Sequence, residues 1–208
     1  MPQPSSPPRL ILGSTSRYRR ELLERLRMPF AVQSPHVDET PLAGERPAPL
    51  ALRLALAKAR AAALAAQASE PGLDCVVIGS DQVADVDGEA IGKPGTHERA
   101  VQQLQRMSGQ RIVFQTAVAV VRPATGFEAV QLAPVTVHFR KLSDAVIEHY
   151  LRLEQPYDCA GSAKCETLGI SLLESIQSDD PTALVGLPLI RTSALLRDAG
   201  LDPLEHAQ

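Results

Sequence analysis

Apolar side chains follow two different periods along the chain, and the change of period predicts the order of strands and helices. Short continuous apolar runs such as Leu10–Leu12 are typical of buried strands, whereas apolar residues at positions 18, 22 and 26 repeat with the spacing of a helix face. The predicted strands cover 10–12, 30–33, 76–78, a hairpin over 83–91, 112–121, 127–139 and 170–173. The first predicted helix begins after Ser16 and ends before Pro29, and the other predicted helices cover 49–68, 97–108, 144–153 and 189–199.

Local signals support these boundaries. Ser16, Thr96 and Ser143 are suited to cap the helices that follow them, and Asp87-Gly88 is typical of a type I′ hairpin turn. The apolar face predicted for the long Ala/Leu helix consists of Leu50, Leu54, Ala57, Ala61 and Leu64. Helices and strands alternate in the first half, and consecutive strands follow. This order predicts an α/β protein with a mixed central sheet flanked by helices. We expect a flexible tail over 1–8 and a single domain over 9–203.

Composition excludes several classes of protein. The 208 residues are 44% hydrophobic and 22% charged, which is ordinary for a globular domain and unlike disordered or fibrous chains. With 21 Lys+Arg against 24 Asp+Glu, the net charge of −3 favours neither nucleic acid nor a membrane surface. A strongly anionic partner would therefore need a local basic cluster. The polar, Pro-rich start and the lack of a long apolar segment predict a cytoplasmic protein.

Three cysteines, Cys75, Cys159 and Cys165, are too few for a disulfide framework. With His149, the latter two could form a Cys2His metal site, although their spacing is not that of a zinc knuckle. Ordinary reduced thiols are the preferred interpretation.

The turn between the first strand and the first helix carries the strongest chemical signal. Its sequence is Gly13-Ser14-Thr15-Ser16-Arg17-Tyr18-Arg19-Arg20. Small residues let a ligand approach the backbone, and a helix N-terminus attracts anions. Three arginines in the first turn oppose the helix dipole, which indicates a phosphate ligand. The alternative is a solvated face on which Arg20 pairs with Glu24.

Two carboxylates suggest a cation site. Asp81 follows the predicted strand 76–78, at the end where α/β folds bind ligands, and could hold Mg²⁺ or orient a water. Glu39, in a loop, could supply a second oxygen ligand, since Mg²⁺ is often held by one or two carboxylates plus phosphates. The alternatives are a hairpin aspartate satisfied by backbone N–H groups and an ordinary acidic loop. Lys58 and Lys93 are candidate phosphate partners or ordinary surface lysines.

Seven segments, taken together, resemble the Maf family of nucleoside triphosphate pyrophosphatases over about 10–201. The segments are Gly13-Ser14-Thr15-Ser16 with Arg19-Arg20, Val37-Asp38-Glu39-Thr40, Ala57-Lys58-Ala59, Gly79-Ser80-Asp81-Gln82-Val83, Gly92-Lys93-Pro94, Cys159-Ala160-Gly161-Ser162 and Val185-Gly186-Leu187-Pro188.

This resemblance implies an elongated α/β fold, similar to that of inosine triphosphate pyrophosphatases, with two lobes around a cleft. It implies hydrolysis of the α–β phosphoanhydride of a nucleotide with a divalent cation, Mg²⁺ or Mn²⁺. It makes Asp81 the general base and, with Glu39, a metal ligand. The implied phosphate-binding residues are Ser14, Ser16, Arg19, Arg20, Lys58 and Lys93. Many members dimerise, so a homodimer is a further expectation.

Within the family, Ser80-Asp81-Gln82 is similar to the subfamily that acts on 7-methyl-GTP, whereas members acting on dTTP and UTP usually have Asp-Thr. Tyr18 and Glu166 fit the same subfamily, because an aromatic face and a carboxylate attract the cationic methylated base. Arg17 departs from a common proline, and Cys165 and Thr167 are larger than usual. The open alternatives are a dTTP, UTP or CTP pyrophosphatase and a non-catalytic regulator of cell division. Few aromatics and no basic stripe argue against nucleic-acid binding.

Overall fold

A computed structural model of the chain describes residues 7–208, and within them one mixed sheet of seven strands organises the fold. The strands are β1 (Arg9–Gly13), β2 (Phe30–Val32), β3 (Cys75–Val86), β4 (Glu89–Ile91), β5 (Arg111–Arg122), β6 (Phe127–Phe139) and β7 (Leu173–Gln177). The helices are α1 (Arg17–Glu24), α2 (Pro47–Ser69), α3 (His97–Met107), α4 (Asp144–Glu154), α5 (Leu189–Asp198) and α6 (Pro203–His206). Residues 1–6, in the predicted tail, lie outside the described range.

The strand order is β2-β1-β3-β5-β6-β7, with β4 beside the far part of β3. β1 runs parallel to β2 and β3, whereas the pairs from β3 to β7 are antiparallel. This confirms the predicted α/β fold with a mixed central sheet.

Hydrophobic side chains form three clusters that divide the molecule into two halves. In the first half, α2 packs on one face of β1, β3 and β5, and α1 and α5 pack on the other. In the second half, α3 and α4 pack against the far parts of β3, β5 and β6. The long strands β3 and β5 pass through both halves, so the two cores share one sheet.

The cleft arises from an interruption in strand pairing along β3. On one side β5 pairs with β3 from Val77 to Asp85. On the other side β3 pairs with β1 only as far as Gly79, and with β4 only from Ala84 onward. Residues 80–83 of β3 therefore have a neighbouring strand on one side only, and their other side faces the space between the two halves.

Two glycines allow α2 to approach this point closely. Gly13 and Gly79 are partners in the β1–β3 register. A Cβ atom on Gly79 would lie 2.9 Å from the Ala59 Cβ, and one on Gly13 would lie 2.9 Å from the Ala62 Cβ. Backbone and small side chains therefore meet where larger ones would clash, and this close packing sets Lys58 of α2 at the end of β1.

The same close packing explains why the predicted apolar face of α2 is wrong in part. Leu50 and Leu54 are buried, but Ala57 and Ala61 are only half-buried and Leu64 is 72% exposed. The face that contacts the sheet instead carries Ala51, Ala55, Ala59, Ala62, Ala63 and Ala66. At a short helix–sheet distance, side-chain size decides which face is buried.

Other boundaries also differ. β3 continues past Ile78, where the predicted strand ended, because β5 pairs with it as far as Asp85. The predicted strand at 170–173 is largely a 3₁₀ turn, and β7 starts at Leu173, where the edge of β6 offers backbone partners. The predicted Asp87-Gly88 turn is confirmed by φ angles of 55° and 83°. The chain continues past 203 through α6, and the Gln208 N–H donates to the Arg27 carbonyl.

None of the helices in the described residues has both the length and the apolar character needed to cross a membrane.

Candidate active site

A cleft of about 520 Å³ opens at the interruption in β3 and is bordered by the N-terminus of α1. Its predicted site residues are Ser14, Ser16, Tyr18, Arg19, Glu39, Lys58, Gln82, Lys93 and Glu166. Its other lining residues include Arg17, Asp158, Cys159, Leu184, Val185 and Gly186. Segments far apart in the sequence therefore meet in one cavity that is rich in charge.

The start of α1 forms the first wall of the cleft. Ser16 caps the helix as predicted, and its Oγ accepts from the Arg19 N–H at 3.4 Å. The Ser14 side chain is buried, and its Oγ accepts from the Ser16 N–H at 3.1 Å. These hydroxyls shape the turn around backbone N–H groups at the positive end of the helix dipole, which is suited to an anion.

Two of the three arginines of α1 line the cleft. Arg19 is half-buried, and its Nε donates to the Gly186 carbonyl at 2.9 Å. Arg17 places its guanidinium carbon 5.1 Å from the Tyr18 ring centroid. Arg20 lies on the exposed side of the helix, where its Nε is 3.2 Å from Glu24. The structure therefore does not bring Arg20 to the other predicted phosphate ligands, and its contact is the i,i+4 pair that was the alternative.

Lys58 lies between the two predicted carboxylates. Its Nζ is 2.6 Å from the Glu39 carboxylate and 2.6 Å from Asp81 Oδ1. The Lys58 and Asp81 side chains are only 7% and 9% exposed, whereas Glu39 is 56% exposed. Two buried opposite charges at hydrogen-bond distance compensate each other's lost hydration. Lys58 is therefore a structural partner of the carboxylates, not a surface lysine.

Glu39 remains ionised in this environment. Partial burial raises its pKa, but the hydrogen bond from Lys58 and the charges of Lys58, Lys93 and Arg19 outweigh that effect, and its pKa is below its ordinary value. Burial lowers the pKa of Arg19, and the charges of Asp81 and Glu39 oppose that change. The cleft therefore joins anionic and cationic groups that stabilise each other's charged forms.

Glu39 and Asp81 are the oxygen donors that a divalent cation would use together with a phosphate ligand. Glu39 and Asp81 place oxygens around one point, at which Lys58 donates to both. Mg²⁺ is commonly held by one or two carboxylates, with phosphate oxygens and waters completing its octahedron. Within residues 7–208 no group of three His, Cys, Asp or Glu side chains forms a complete metal site. This observation contradicts the Cys2His alternative, because Cys159, Cys165 and His149 do not converge.

The cleft is also lined by an aromatic ring, Tyr18, and by the carboxylates of Asp158 and Glu166. Burial, then the neighbouring Cys159 and Asp158, raises the pKa of Tyr18 to about 12. The Lys164 Nζ lies 5.9 Å from the Tyr18 ring centroid. Burial raises the pKa of the Glu166 carboxyl, and Asp158 adds to that rise. The ring therefore lies near one carboxylate and already has two side-chain cations within 6 Å, which is the kind of aromatic surface that attracts a cationic group.

The thiols of Cys159 and Cys165, in the same region, have raised pKa values. Burial is the main cause that raises the pKa of Cys159 and of Cys165 to about 12. The reactive thiolate is therefore scarce near neutral pH.

Gln82 lines the cleft but uses its amide within the protein. Its Nε2 donates to Thr116 Oγ1 at 2.9 Å and to the carbonyls of Ala183 and Leu184 at 3.0 Å each. Gln82 is therefore tied to the segment that forms one wall of the cleft.

A further contact fixes the loop that carries Glu39. Arg53 donates to both carboxylate oxygens of Glu45 at 2.7 and 2.6 Å, and to the Thr40 carbonyl at 3.2 Å. The hydrogen bonds from Arg53 are the main cause that lowers the pKa of Glu45 to about 2. This bidentate pair ties the loop to α2, which also carries Lys58.

Sequence reasoning missed the roles of Arg53, Thr116 and Asp158. An arginine on the polar side of a helix and a threonine within an apolar strand carry no local signal. Asp158 follows Pro156, which marked only the end of a helix. Their partners are distant in sequence, so only the fold identifies them.

Comparison with known proteins agrees with this geometry. The Maf-like protein family matches residues 9–199. The 7-methyl-GTP pyrophosphatase of Albidiferax ferrireducens is 64% identical over 94% of this chain and 96% of its own length. The 7-methyl-GTP pyrophosphatase of a Polaromonas species is 65% identical over 95% of this chain and 87% of its own length. That of Bordetella pertussis is 59% identical over 97% of this chain and 97% of its own length. A match that spans nearly the whole chain shows that this protein belongs to the Maf-like family.

Proposed function

We propose that this protein hydrolyses 7-methyl-GTP to 7-methyl-GMP and pyrophosphate. The observation that carries the proposal is that one cleft has two sets of lining residues with different chemistry, which we call its phosphate end and its base end. One end joins Arg19 and Lys93 to the Glu39–Lys58–Asp81 cluster, and the other joins Tyr18 to carboxylates. The names of the highly similar relatives support the same substrate.

At the phosphate end, cations neutralise the triphosphate. Arg19, whose Nε donates to the Gly186 carbonyl, lines the cleft and brings one positive charge to it, and Lys93 adds a second. The N-terminus of α1 contributes backbone N–H groups. Phosphoryl transfer depends mainly on positioning and charge neutralisation, which this arrangement supplies.

Asp81 is the proposed general base. It accepts a proton from a water whose oxygen forms a bond to the α-phosphorus while the bond to the bridging oxygen of the α–β anhydride breaks. Pyrophosphate leaves with that bridging oxygen and its electron pair. Lys58 holds one Asp81 oxygen at 2.6 Å, and this bond orients the carboxylate. A divalent cation, Mg²⁺ or Mn²⁺, held by Glu39 and Asp81 would neutralise charge on the phosphates.

At the base end, the substrate's positive charge is the proposed basis of selection. Methylation at N7 makes guanine cationic, and the Tyr18 ring attracts a cation that stacks on its face. The Glu166 carboxylate pairs with that charge or accepts from the guanine N–H groups. An unmethylated or pyrimidine base lacks the charge.

A nucleotide panel tests the proposal. Pyrophosphate release would be measured with 7-methyl-GTP, GTP, dTTP, UTP and CTP, with Mg²⁺, with Mn²⁺ and with a chelator. We expect the highest kcat/KM for 7-methyl-GTP and loss of turnover with the chelator. A higher kcat/KM for dTTP, UTP or CTP would refute the proposal that 7-methyl-GTP is the preferred substrate. No release of pyrophosphate from any nucleotide would favour a non-catalytic regulator. Turnover that survives chelation would refute the requirement for a divalent cation.

A further inference from the structure

Two neighbouring polar side chains, Gln82 and Thr116, link the sheet to the backbone of the cleft wall through hydrogen bonds. Gln82 and Thr116 are direct partners in the antiparallel β3–β5 register, so their side chains lie on the same face. Thr116 is fully buried, and its Oγ1 accepts from Gln82 and donates to the Ala183 carbonyl at 3.0 Å. Both side chains therefore bind one segment, 183–186, which we call the wall segment.

The Gln82 amide has no spare donor. Its two N–H bonds are shared among three acceptors, which are Thr116 Oγ1 and the carbonyls of Ala183 and Leu184. Carbonyl oxygens can only accept, so the NH₂ group rather than the amide oxygen must face them. A nucleotide base could therefore meet Gln82 only as an acceptor, through Oε1.

The wall segment in turn holds Arg19. The Gly186 carbonyl accepts from Arg19 Nε at 2.9 Å and from the buried Ser80 Oγ at 2.8 Å. The Gly186 N–H donates to the Ala183 carbonyl at 3.0 Å, which is the oxygen bound by Thr116. A continuous set of hydrogen bonds therefore runs from Thr116 through the wall segment to the guanidinium of Arg19.

We infer that Thr116 is a positioning residue for the pyrophosphatase reaction, which acts with Gln82 through the wall segment to orient Arg19. Thr116 does not itself line the cleft. Loss of its hydroxyl removes one acceptor of the Gln82 amide and one donor to the Ala183 carbonyl. The wall segment is then held less firmly, and with it the Gly186 carbonyl that accepts from Arg19 Nε. The inference rests on the proposed function, because Arg19 is placed there as a phosphate ligand.

Steady-state kinetics on three variants tests the inference. Thr116→Val removes the hydroxyl at nearly constant shape, and Thr116→Ser retains it. Thr136→Val is the matched control on β6, since Thr136 is half-buried and outside the cleft. We expect Thr116→Val to lower kcat/KM for 7-methyl-GTP by about five- to tenfold, as for one or two lost hydrogen bonds. Thr116→Ser should stay within about twofold of wild type. Wild-type kinetics for Thr116→Val would refute the role.

A double-mutant cycle separates positioning from general damage. Arg19→Lys lacks the Nε–H donor to Gly186. If Thr116 acts through Arg19, then Thr116→Val should cost little further activity in the Arg19→Lys protein. Fully additive losses would show that Thr116 acts elsewhere, and would overturn the inference.

Hydrogen exchange tests the same link without nucleotide, and so independently of the proposed function. In Gln82→Met the wall segment loses its bonds to the amide, and the buried Gly186 N–H should exchange about tenfold faster than in wild type. Exchange at wild-type rate would overturn the inference even where Thr116→Val fails to fold. Faster exchange in a protein that releases no pyrophosphate would support the link and refute only the proposed function.

Discussion

Replacing Lys58 by methionine would leave a buried carboxylate without its partner. The Lys58 Nζ is 2.6 Å from Asp81 Oδ1, and the two side chains are 7% and 9% exposed. Methionine keeps an unbranched stem of similar length, so the main change is the lost charge and its two hydrogen bonds. Removal of one partner of a buried ion pair typically costs 3–5 kcal/mol. We expect about 3 kcal/mol, the lower end of that range, because Arg19 is close enough to interact with Asp81.

Chemical and thermal denaturation measure this cost. For a domain of this size, a loss of about 3 kcal/mol lowers Tm by about 6–12 °C. The double variant Lys58→Met/Asp81→Asn should be more stable than Lys58→Met alone, since no uncompensated charge then remains. Lys141→Met, on the exposed surface, is the matched control and should change stability by less than about 0.5 kcal/mol.

The pH dependence of the difference provides a further check. The pKa of Glu39 is lowered in the folded state, so its contribution to stability is present above its ordinary value of 4.5 and is lost as the pH falls through the lowered value. The gap between wild type and Lys58→Met should therefore narrow in acid. A Lys58→Met protein with the wild-type denaturation midpoint, or a double variant less stable than the single one, would refute the reasoning.

Three further predictions concern activity. Asp81→Asn should lower kcat on 7-methyl-GTP by about 10²- to 10⁴-fold, and a rate near wild type would exclude Asp81 as the base. Arg19→Ala should lower kcat/KM by about 30- to 100-fold through lost charge-assisted hydrogen bonds, whereas Arg20→Ala should stay within about twofold, and equal losses would contradict the placement of Arg20 outside the cleft. Because burial raises the pKa of Glu166, preference for 7-methyl-GTP over GTP should decline as the pH falls through a value above the ordinary 4.5. In Glu166→Gln that pH dependence should be absent, and its persistence would assign the effect to another group.

The elements that could be predicted from sequence are those specified by local signals. Ser16, Thr96 and Ser143 cap their helices as expected, because a side-chain hydroxyl bonds an N–H group only three residues away. The Asp87-Gly88 turn likewise depends on two adjacent residues. The candidate site residues came partly from chemistry at predicted strand ends and partly from resemblance to a family.

The faces and partners of these elements could not be predicted in the same way. Periodicity placed Leu64 on the buried face of α2, but Gly79 brings that helix so close that alanines form the contact. Arg20 satisfied the same sequence criteria as Arg19, yet the rotation of α1 directs only Arg19 to the Gly186 carbonyl. Each of these outcomes depends on the distance and angle between elements that are remote in sequence.

The sequence by itself therefore determined the order of elements, the caps and turns, and the supply of cations and carboxylates that a nucleotide site needs. Only the tertiary structure decided that Lys58 is buried between Glu39 and Asp81, and that Gln82 holds the wall of the cleft. The physical reason is that capping and turn formation involve groups a few residues apart. Burial and long-range hydrogen bonds depend instead on how an interrupted sheet and the helices on it pack in three dimensions.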